Sequence, residues 1–224
     1  MDKKVPDIRF KEFDDEWAKT PLREVSFKVT DKNMSKEYRI VLTNSAELGV
    51  IDQKEYFERN IANDNSISGY YVVCPNDYVY NPRISTTAPV GPINRNKLEY
   101  IGVMSPLYYI FRIKGTDIDL QYLDYFFKSS IWHDFMYKNG NSGARSDRFS
   151  ISDATFSLLP ISHPISTLEQ AKIGKLLTTM DKLIDKLEQK LEKLRNIKQA
   201  LLNQMFINVN KGGVRNTASK IQKP

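Results

Sequence analysis

From Ile173 onward an apolar residue falls at every seventh position: Ile173, Met180, Leu187, Leu194 and Leu201. Leu177, Ile184, Leu191 and Met205 form a second row four residues later, interrupted by Lys198, and Leu176, Leu183 and Ile197 widen the stripe. Alternating steps of three and four place these side chains on one side of an α-helix and leave Lys, Glu and Asp on the others. Residues 173–205 make a rod of about 50 Å at 1.5 Å per residue. Such a stripe has to be covered by something. Packing on the protein's own domain is one solution, and a coiled coil with another helix suits a rod this long better. The residues expected to pair are Ile173, Leu177, Met180, Ile184, Leu187, Leu191, Leu194 and Leu201. Thr167 with Gln170 three residues on reads as a capping box at the helix start. The stretch from Asn208, with Gly212-Gly213 and scattered lysines, reads as a disordered tail.

Before this helix the pattern changes. The 224-residue length allows one good-sized domain with an appendage, or two small domains, and 41% apolar against 27% charged residues allow a packed core. Pro6 to Val25 reads as an entry arm in which Phe13 and Trp17 plug a core edge, and Lys28 to Arg39 reads as loop or short helix. Ile40-Val41-Leu42, Gly69 to Cys74, Tyr78-Val79-Tyr80, Gly102-Val103-Met104 and Tyr108 to Ile113 are strand-like runs bounded by turn residues. Ser85 to Pro92 is a loop by composition. Asp119 to Tyr137 has helical spacing, Gly140 to Arg148 is a polar loop, and Phe156 to Ile161 reads as a last strand. The expected fold class is therefore α+β: a mixed domain with a mainly β core over residues 1–166, a long coiled-coil helix over 167–207, and the tail over 208–224.

Composition excludes several chemistries. The two histidines, His133 and His163, are thirty residues apart, and no CxxC, HxxxH or HExxH spacing occurs, so no metal site is expected. Glycine-rich nucleotide loops and the GxSxG elbow are missing. Val79-Tyr80-Asn81-Pro82-Arg83 approaches the Asn-Pro-Pro-aromatic loop of amino-methyltransferases but lacks the second proline and the aromatic, so it reads as a turn ending a strand. Glu188-Gln189-Lys190 has the Glu-x-Lys spacing of a nuclease but lies on the heptad helix, where it is a solvated charge pattern. The single cysteine, Cys74, cannot form an internal disulfide and reads as a buried apolar residue. No run of 18 apolar residues and no apolar stretch behind the first Met are present, so neither a membrane span nor a secretory leader is expected, and the expected setting is cytoplasmic.

The net charge of +6 is unevenly placed. Residues 1–166 carry 21 Lys/Arg against 22 Asp/Glu, whereas 167–224 carry 12 against 5. A nucleic-acid role for the globular part must therefore rest on local chemistry rather than on a basic field. Ten of the twelve tyrosines fall between Tyr70 and Tyr137, mostly as sheet and core residues. The neighbouring loops hold arginine beside Asn, Ser and Thr, the side chains that read base edges. The candidate DNA-binding residues are Asn81, Arg83, Thr86, Arg95, Lys97, Ser142, Arg145 and Arg148; no catalytic or metal residue is expected.

Several blocks carry a resemblance. They are Val5-Pro-Asp-Ile-Arg-Phe-Lys-Glu-Phe-Asp-Asp-Glu-Trp17, Tyr71 to Asn81, Pro89-Val-Gly91 and Gly102-Val-Met-Ser-Pro-Leu-Tyr108. Pro164-Ile-Ser-Thr-Leu-Glu-Gln170, Ile173-Gly-Lys-Leu-Leu and Met180-Asp-Lys-Leu-Ile184 close the series. Together these resemble the specificity subunit of type I restriction-modification systems over residues 5–207. The resemblance implies a target recognition domain that reads one half of a bipartite double-stranded DNA site, followed by a helix that acts as a ruler and pairs with a second such helix. It also implies methyltransferase subunits that supply S-adenosylmethionine chemistry, a motor-nuclease subunit working with ATP and Mg²⁺, and no catalysis or cofactor in this chain. The family pattern has two recognition domains and two helices and this chain has one of each, so a homodimer is expected if the chain is complete. A natural half-subunit, a truncated allele and the first half of a longer gene all remain open. The alternative is a protein-only assembly adaptor, or an inactive specificity fragment, acting through its coiled coil.

Overall fold

The computed structural model describes residues 5–56, 67–142 and 147–206. Its centre is a four-stranded antiparallel sheet in the order β2-β9-β6-β7: Ser26–Lys28, Tyr109–Ile113, Tyr78–Tyr80 and Ile93–Arg95. The aromatic and β-branched residues of β6 and β9 suit a buried pleat, and their register sets Tyr78 opposite Phe111, Val79 opposite Ile110 and Tyr80 opposite Tyr109. Side chains alternate across a strand, so Tyr78, Tyr80, Tyr109 and Phe111 face one side and Val79 and Ile110 the other. The aromatic face packs on Tyr122, Leu123, Phe126 and Phe127 of α3 (Leu120–Lys128) and on Trp132, Met136, Phe149, Phe156, Leu159 and Ile161. Tyr78 stacks on Phe111 at 5.4 Å and Tyr80 on Phe156 at 4.7 Å between ring centroids. The other face packs on Val29, Leu42, Val50, Val73 and Met104. With both faces buried, the tyrosines of the central strands are core residues.

Smaller pairings surround this sheet. β3 (Leu42–Ser45) and β4 (Gly49–Asp52) form a hairpin, β5 (Tyr71–Val73) pairs with β8 (Gly102–Met104), and β10 (Asn141–Ser142) pairs with β11 (Phe149–Ser150). β1 (Ala18–Pro21) pairs with β12 (Pro160–His163), bringing the beginning of the domain against its end. The one-turn helices α1 (Leu22–Val25), α2 (Gln53–Tyr56) and α5 (Asp153–Phe156) complete the connections with α4 (His133–Asn139).

Four expectations need correction. The helical run at 119–137 is two helices: Asp119 caps α3 by accepting from the Tyr122 amide at 2.7 Å, and Ser129, donating from its hydroxyl to the Phe126 carbonyl, ends it before α4. The last strand starts at Pro160 rather than Phe156, because Ser152 accepts from the Thr155 amide at 3.1 Å and draws Phe156 into α5. Cys74 is half-buried. The capping box at Thr167 and Gln170 does not form. Ser166 caps the helix by accepting from the Glu169 amide at 3.4 Å, and fully buried Gln170 crosses to the start of α3. Its carbonyl oxygen accepts from the Asp119 amide at 2.8 Å, and its nitrogen donates to the Asp117 and Pro164 carbonyls at 2.9 Å each.

The long helix, α6, runs from Thr167 to Met205, about 58 Å at 1.5 Å per residue. Its beginning is built into the head. Gly174 lies so close to α3 that a Cβ there would meet the Tyr122 amide nitrogen at 3.0 Å, and Ile173 packs on the aromatic core. Residues up to Leu177 form one compact unit and those from Thr178 another, so the division falls inside α6 rather than at its start. In the second unit Met180, Ile184, Leu187, Leu191, Leu194 and Leu201 stay between 45% and 57% exposed, leaving the apolar stripe uncovered. Residues 207–224, including the expected tail, lie outside the described residues.

Candidate nucleic-acid interface

Beyond Tyr80 the chain turns away from the sheet, and the side chain of Asn81 fixes the turn. Its Nδ2 donates to the Asn44 carbonyl at 2.8 Å and its Oδ1 accepts from the Arg83 amide at 3.0 Å. The Asn81 amide donates to the Pro92 carbonyl at 3.0 Å, which closes the loop from 82 to 92 at its base. Gly91 makes that closure possible. Its φ is +86°, and a Cβ would lie 2.1 Å from the Asn81 carbonyl oxygen. Within the loop Ser85 exchanges backbone hydrogen bonds with Ala88, which presents Thr86 and Thr87 to solvent.

One side of this loop is zipped to the segment before β11. The Phe149 amide donates to the Pro82 carbonyl at 2.8 Å and the Ile84 amide to the Asp147 carbonyl at 3.0 Å, so that Arg83 and Arg148 stand opposite each other in an antiparallel bridge. Facing them is the β3–β4 hairpin, held by Asn44. This residue is 2% exposed, donates to the Val79 carbonyl at 2.7 Å and accepts from Asn94 Nδ2 at 2.8 Å. Next to it the Thr43 hydroxyl lies 3.0 Å from that of Tyr108, at the tip of the β8–β9 connection. Between the walls is a cleft of about 680 Å³. Its lining mixes apolar side chains, among them Val41, Leu42, Ile84 and Leu107, with hydroxyls and amides from Thr43, Asn44, Ser45, Ser85, Thr86, Ser105 and Tyr108, and Arg83, Arg148 and Glu47 are its charged members. Short donors and acceptors on a concave surface, flanked by guanidinium forks, match the functional groups that base edges display in a groove.

Of the candidate DNA-binding residues, Asn81, Arg83, Thr86 and Arg148 are brought together here. Arg95 and Lys97 are not. Arg95 donates from Nε and Nη2 to Asp124 at 3.0 and 2.8 Å and from Nη1 to Asn76 at 2.8 Å, while Lys97 lies 2.9 Å from the same carboxylate. Burial pulls the Arg95 guanidinium down, but the hydrogen bonds and charge of Asp124 outweigh it and hold it above its ordinary value. Its donors are therefore engaged within the fold, away from the cleft. Ser142 contributes a backbone pair to Phe149, and Arg145 lies outside the described residues. Asn81 holds the loop rather than offering a whole amide to a ligand. Sequence reasoning passed over Thr43, Asn44, Ser105 and Tyr108, although Asn44-Ser45 followed by Gly49 carries the chemistry of a turn that could have marked the hairpin.

Of the helix-pairing residues, Ile173 is withdrawn from the exposed stripe, since the head's own core takes it, and Leu177 closes the first unit. Among the described residues no group of three or more His, Cys, Asp or Glu side chains is placed to hold a metal ion, and no helix is long and apolar enough to cross a membrane.

The sequence matches no protein-family model and no curated protein. Solved structures are more informative. A chain from a type I restriction-modification system, studied for complex assembly and conformational transition, superposes on 86% of this chain and 50% of its own length, with a TM-score of 0.56 at 13% identity. The HsdS subunit from Thermoanaerobacter tengcongensis superposes on 84% of this chain and 48% of its own, with a TM-score of 0.56 at 10% identity. For the type I restriction-modification S subunit from M. genitalium the figures are 92% and 49%, with a TM-score of 0.52 at 12% identity. The chain thus shares the fold of type I specificity subunits, as the resemblance implies, and spans about half the length of each of these structures.

Proposed function

We propose that this chain is the DNA-specificity component of a type I restriction-modification enzyme and reads one half of a bipartite double-stranded target through the cleft between the β3–β4 hairpin and the 82–92 loop. The observation that carries the reading is the pair Arg83 and Arg148, opposed across one bridge at the mouth of a cleft lined with amides and hydroxyls, on a fold shared with specificity subunits. The chain has no catalytic part in this reading. Methyltransferase subunits bring S-adenosylmethionine, and a motor-nuclease subunit brings ATP and Mg²⁺. The uncovered stripe from Met180 to Leu201 pairs with the equivalent helix of a second recognition unit, supplied by another copy or by a longer chain.

The near-neutral head gives the reading a thermodynamic signature. Residues 1–166 carry one more acidic than basic side chain, so most phosphate contacts fall to the methyltransferase partner and base edges to this chain. Mobility shifts in a salt titration test this. The chain alone binds DNA weakly with few counterions released, and adding the methyltransferase subunit brings tight binding that prefers a selected site over random DNA. A complex that assembles yet never discriminates between the two DNAs would leave the protein-only adaptor as the function.

A further inference from the structure

Resting on that reading, we propose that Arg83 and Arg148 are its specificity-determining residues and that they read guanine, with Asp147 orienting Arg83, so that the recognised half-site contains G·C pairs at two fixed positions.

The geometry separates base reading from phosphate docking. Side chains directly opposite in an antiparallel pair project to the same side with Cβ atoms about 4.5–5.5 Å apart, and like charges so placed repel. The bridge between Arg83 and Arg148 therefore starts two arginine side chains from neighbouring Cβ positions on one side, at the edge of the cleft that both line. Neither is neutralised strongly from within. Arg148 has no ion-pair partner among the described residues, and Arg83 has one, the Asp147 carboxylate, with Arg83 65% exposed and the nitrogen–oxygen distance 3.5 Å. A ligand that accepts hydrogen bonds relieves this arrangement.

Phosphate is the poorer candidate for that ligand. Among the described residues the cleft's charged lining is Arg83, Arg148 and Glu47, and Asp147 stands beside Arg83, so the two positive charges are matched by two negative ones. A site for a polyanionic backbone carries a net positive charge, and the carboxylates would repel it. Guanine presents two neutral acceptors, O6 and N7, spaced for one arginine fork, and the cytosine paired with it offers an amino group that a carboxylate accepts. A carboxylate beside an arginine is a liability against a phosphate and an asset against a G·C pair. Thr43, Ser105 and Tyr108 on the opposite wall supply hydroxyls for neighbouring base edges.

The test is selection from a random DNA pool by the full chain with its methyltransferase subunit, repeated with R83A, R148A, the charge-keeping R83K and R148K, and D147N. Circular dichroism melts check that each variant folds. The wild-type complex selects a half-site with two guanines. Each Ala or Lys variant loses about ten- to a hundredfold discrimination at one of them and leaves the other positions intact. D147N relaxes the position lost in R83A without changing the salt slope. A selected half-site without guanine would overturn the assignment, and so would arginine variants that weaken all sequences equally with a shallower salt slope, the mark of phosphate contact. A wild-type complex that selects nothing would instead remove the DNA-specificity reading on which the assignment rests.

Discussion

The guanidinium of Arg9 donates two hydrogen bonds of 2.8 Å, from Nε and Nη2, to the two carboxylate oxygens of Glu169, 160 residues further along the chain. Glu169 is 1% exposed and sits in the first turn of α6, where a carboxylate also complements the helix N-terminus. Three residues later Lys172 pairs with Glu12 and lies over the rings of Phe10 and Phe13, at 5.9 and 5.3 Å from their centroids. The entry arm is thus strapped across the root of the long helix, and the fold is closed by its two ends together with the β1–β12 pair.

Substituting E169Q keeps the shape of the side chain and removes its charge, leaving the largely buried Arg9 guanidinium without its bidentate carboxylate. The thermal midpoint of the chain should fall, and fall further than with E12Q, whose pair is half exposed and so contributes little. Equal midpoints for the two variants would show that the arm does not fasten the helix.

Gly91→Ala tests the base of the 82–92 loop. The left-handed backbone alone costs about 1–3 kcal/mol for a residue with a Cβ, and the contact with the Asn81 carbonyl adds to it. Chemical denaturation should show a loss at the upper end of that range, and DNA discrimination should weaken because Asn81 no longer fixes Arg83. A variant with unchanged stability would contradict the close approach.

Alkaline titration reports the aromatic core. Burial raises the phenols of Tyr80, Tyr109 and Tyr122 above their ordinary value, Tyr109 to about 12. Their folded values exceed their unfolded ones, so the stability they contribute is fully present below about pH 10 and is lost as pH rises through 10 toward 12 and beyond. Tyrosinate absorbance should rise near pH 10 for the exposed rings, and the buried rings should ionise later, in step with unfolding followed by circular dichroism. A single unperturbed titration of all tyrosines would show that these rings are wet.

How much of this was legible in the sequence depended on the range of the interaction. The heptad of α6 repeats its signal at five positions from Ile173 to Leu201, and strands β6 and β9 are runs of β-branched and aromatic residues bounded by turns, so local pattern found them. β1 and β12 are four-residue strands whose only reason to exist is each other, 141 residues apart in register at Thr20 and Ile161, and no local pattern announces that. Phe156 looked like a strand residue because its apolarity says only that it is buried, and the cap at Ser152 decided the conformation. Arg95 and Arg83 look alike in sequence; Asp124, brought close by α3, takes one fork and leaves the other at the cleft.

The helix stripe gives a prediction independent of the head. L187K with L194K places two charges in the exposed row from Met180 to Leu201, beyond the residues that pack on the core. The melting of the head should not move, whereas self-association in sedimentation experiments and specific DNA binding should be lost together. A wild-type chain that stays monomeric at tens of micromolar, with or without the methyltransferase subunit, would assign the second helix to a longer chain instead of a second copy.

If one recognition unit on a ruler helix specifies one half of a divided DNA site, as proposed, mapping of methylated bases in cells that carry this chain with a type I methyltransferase subunit reads it out. The expected result is a methylated motif in two parts with a fixed non-specific spacer, palindromic if two copies pair, and a longer spacer with unchanged halves when four residues are inserted between Glu188 and Leu191. A contiguous motif, or a methylation pattern that does not change when the chain is removed, would contradict it.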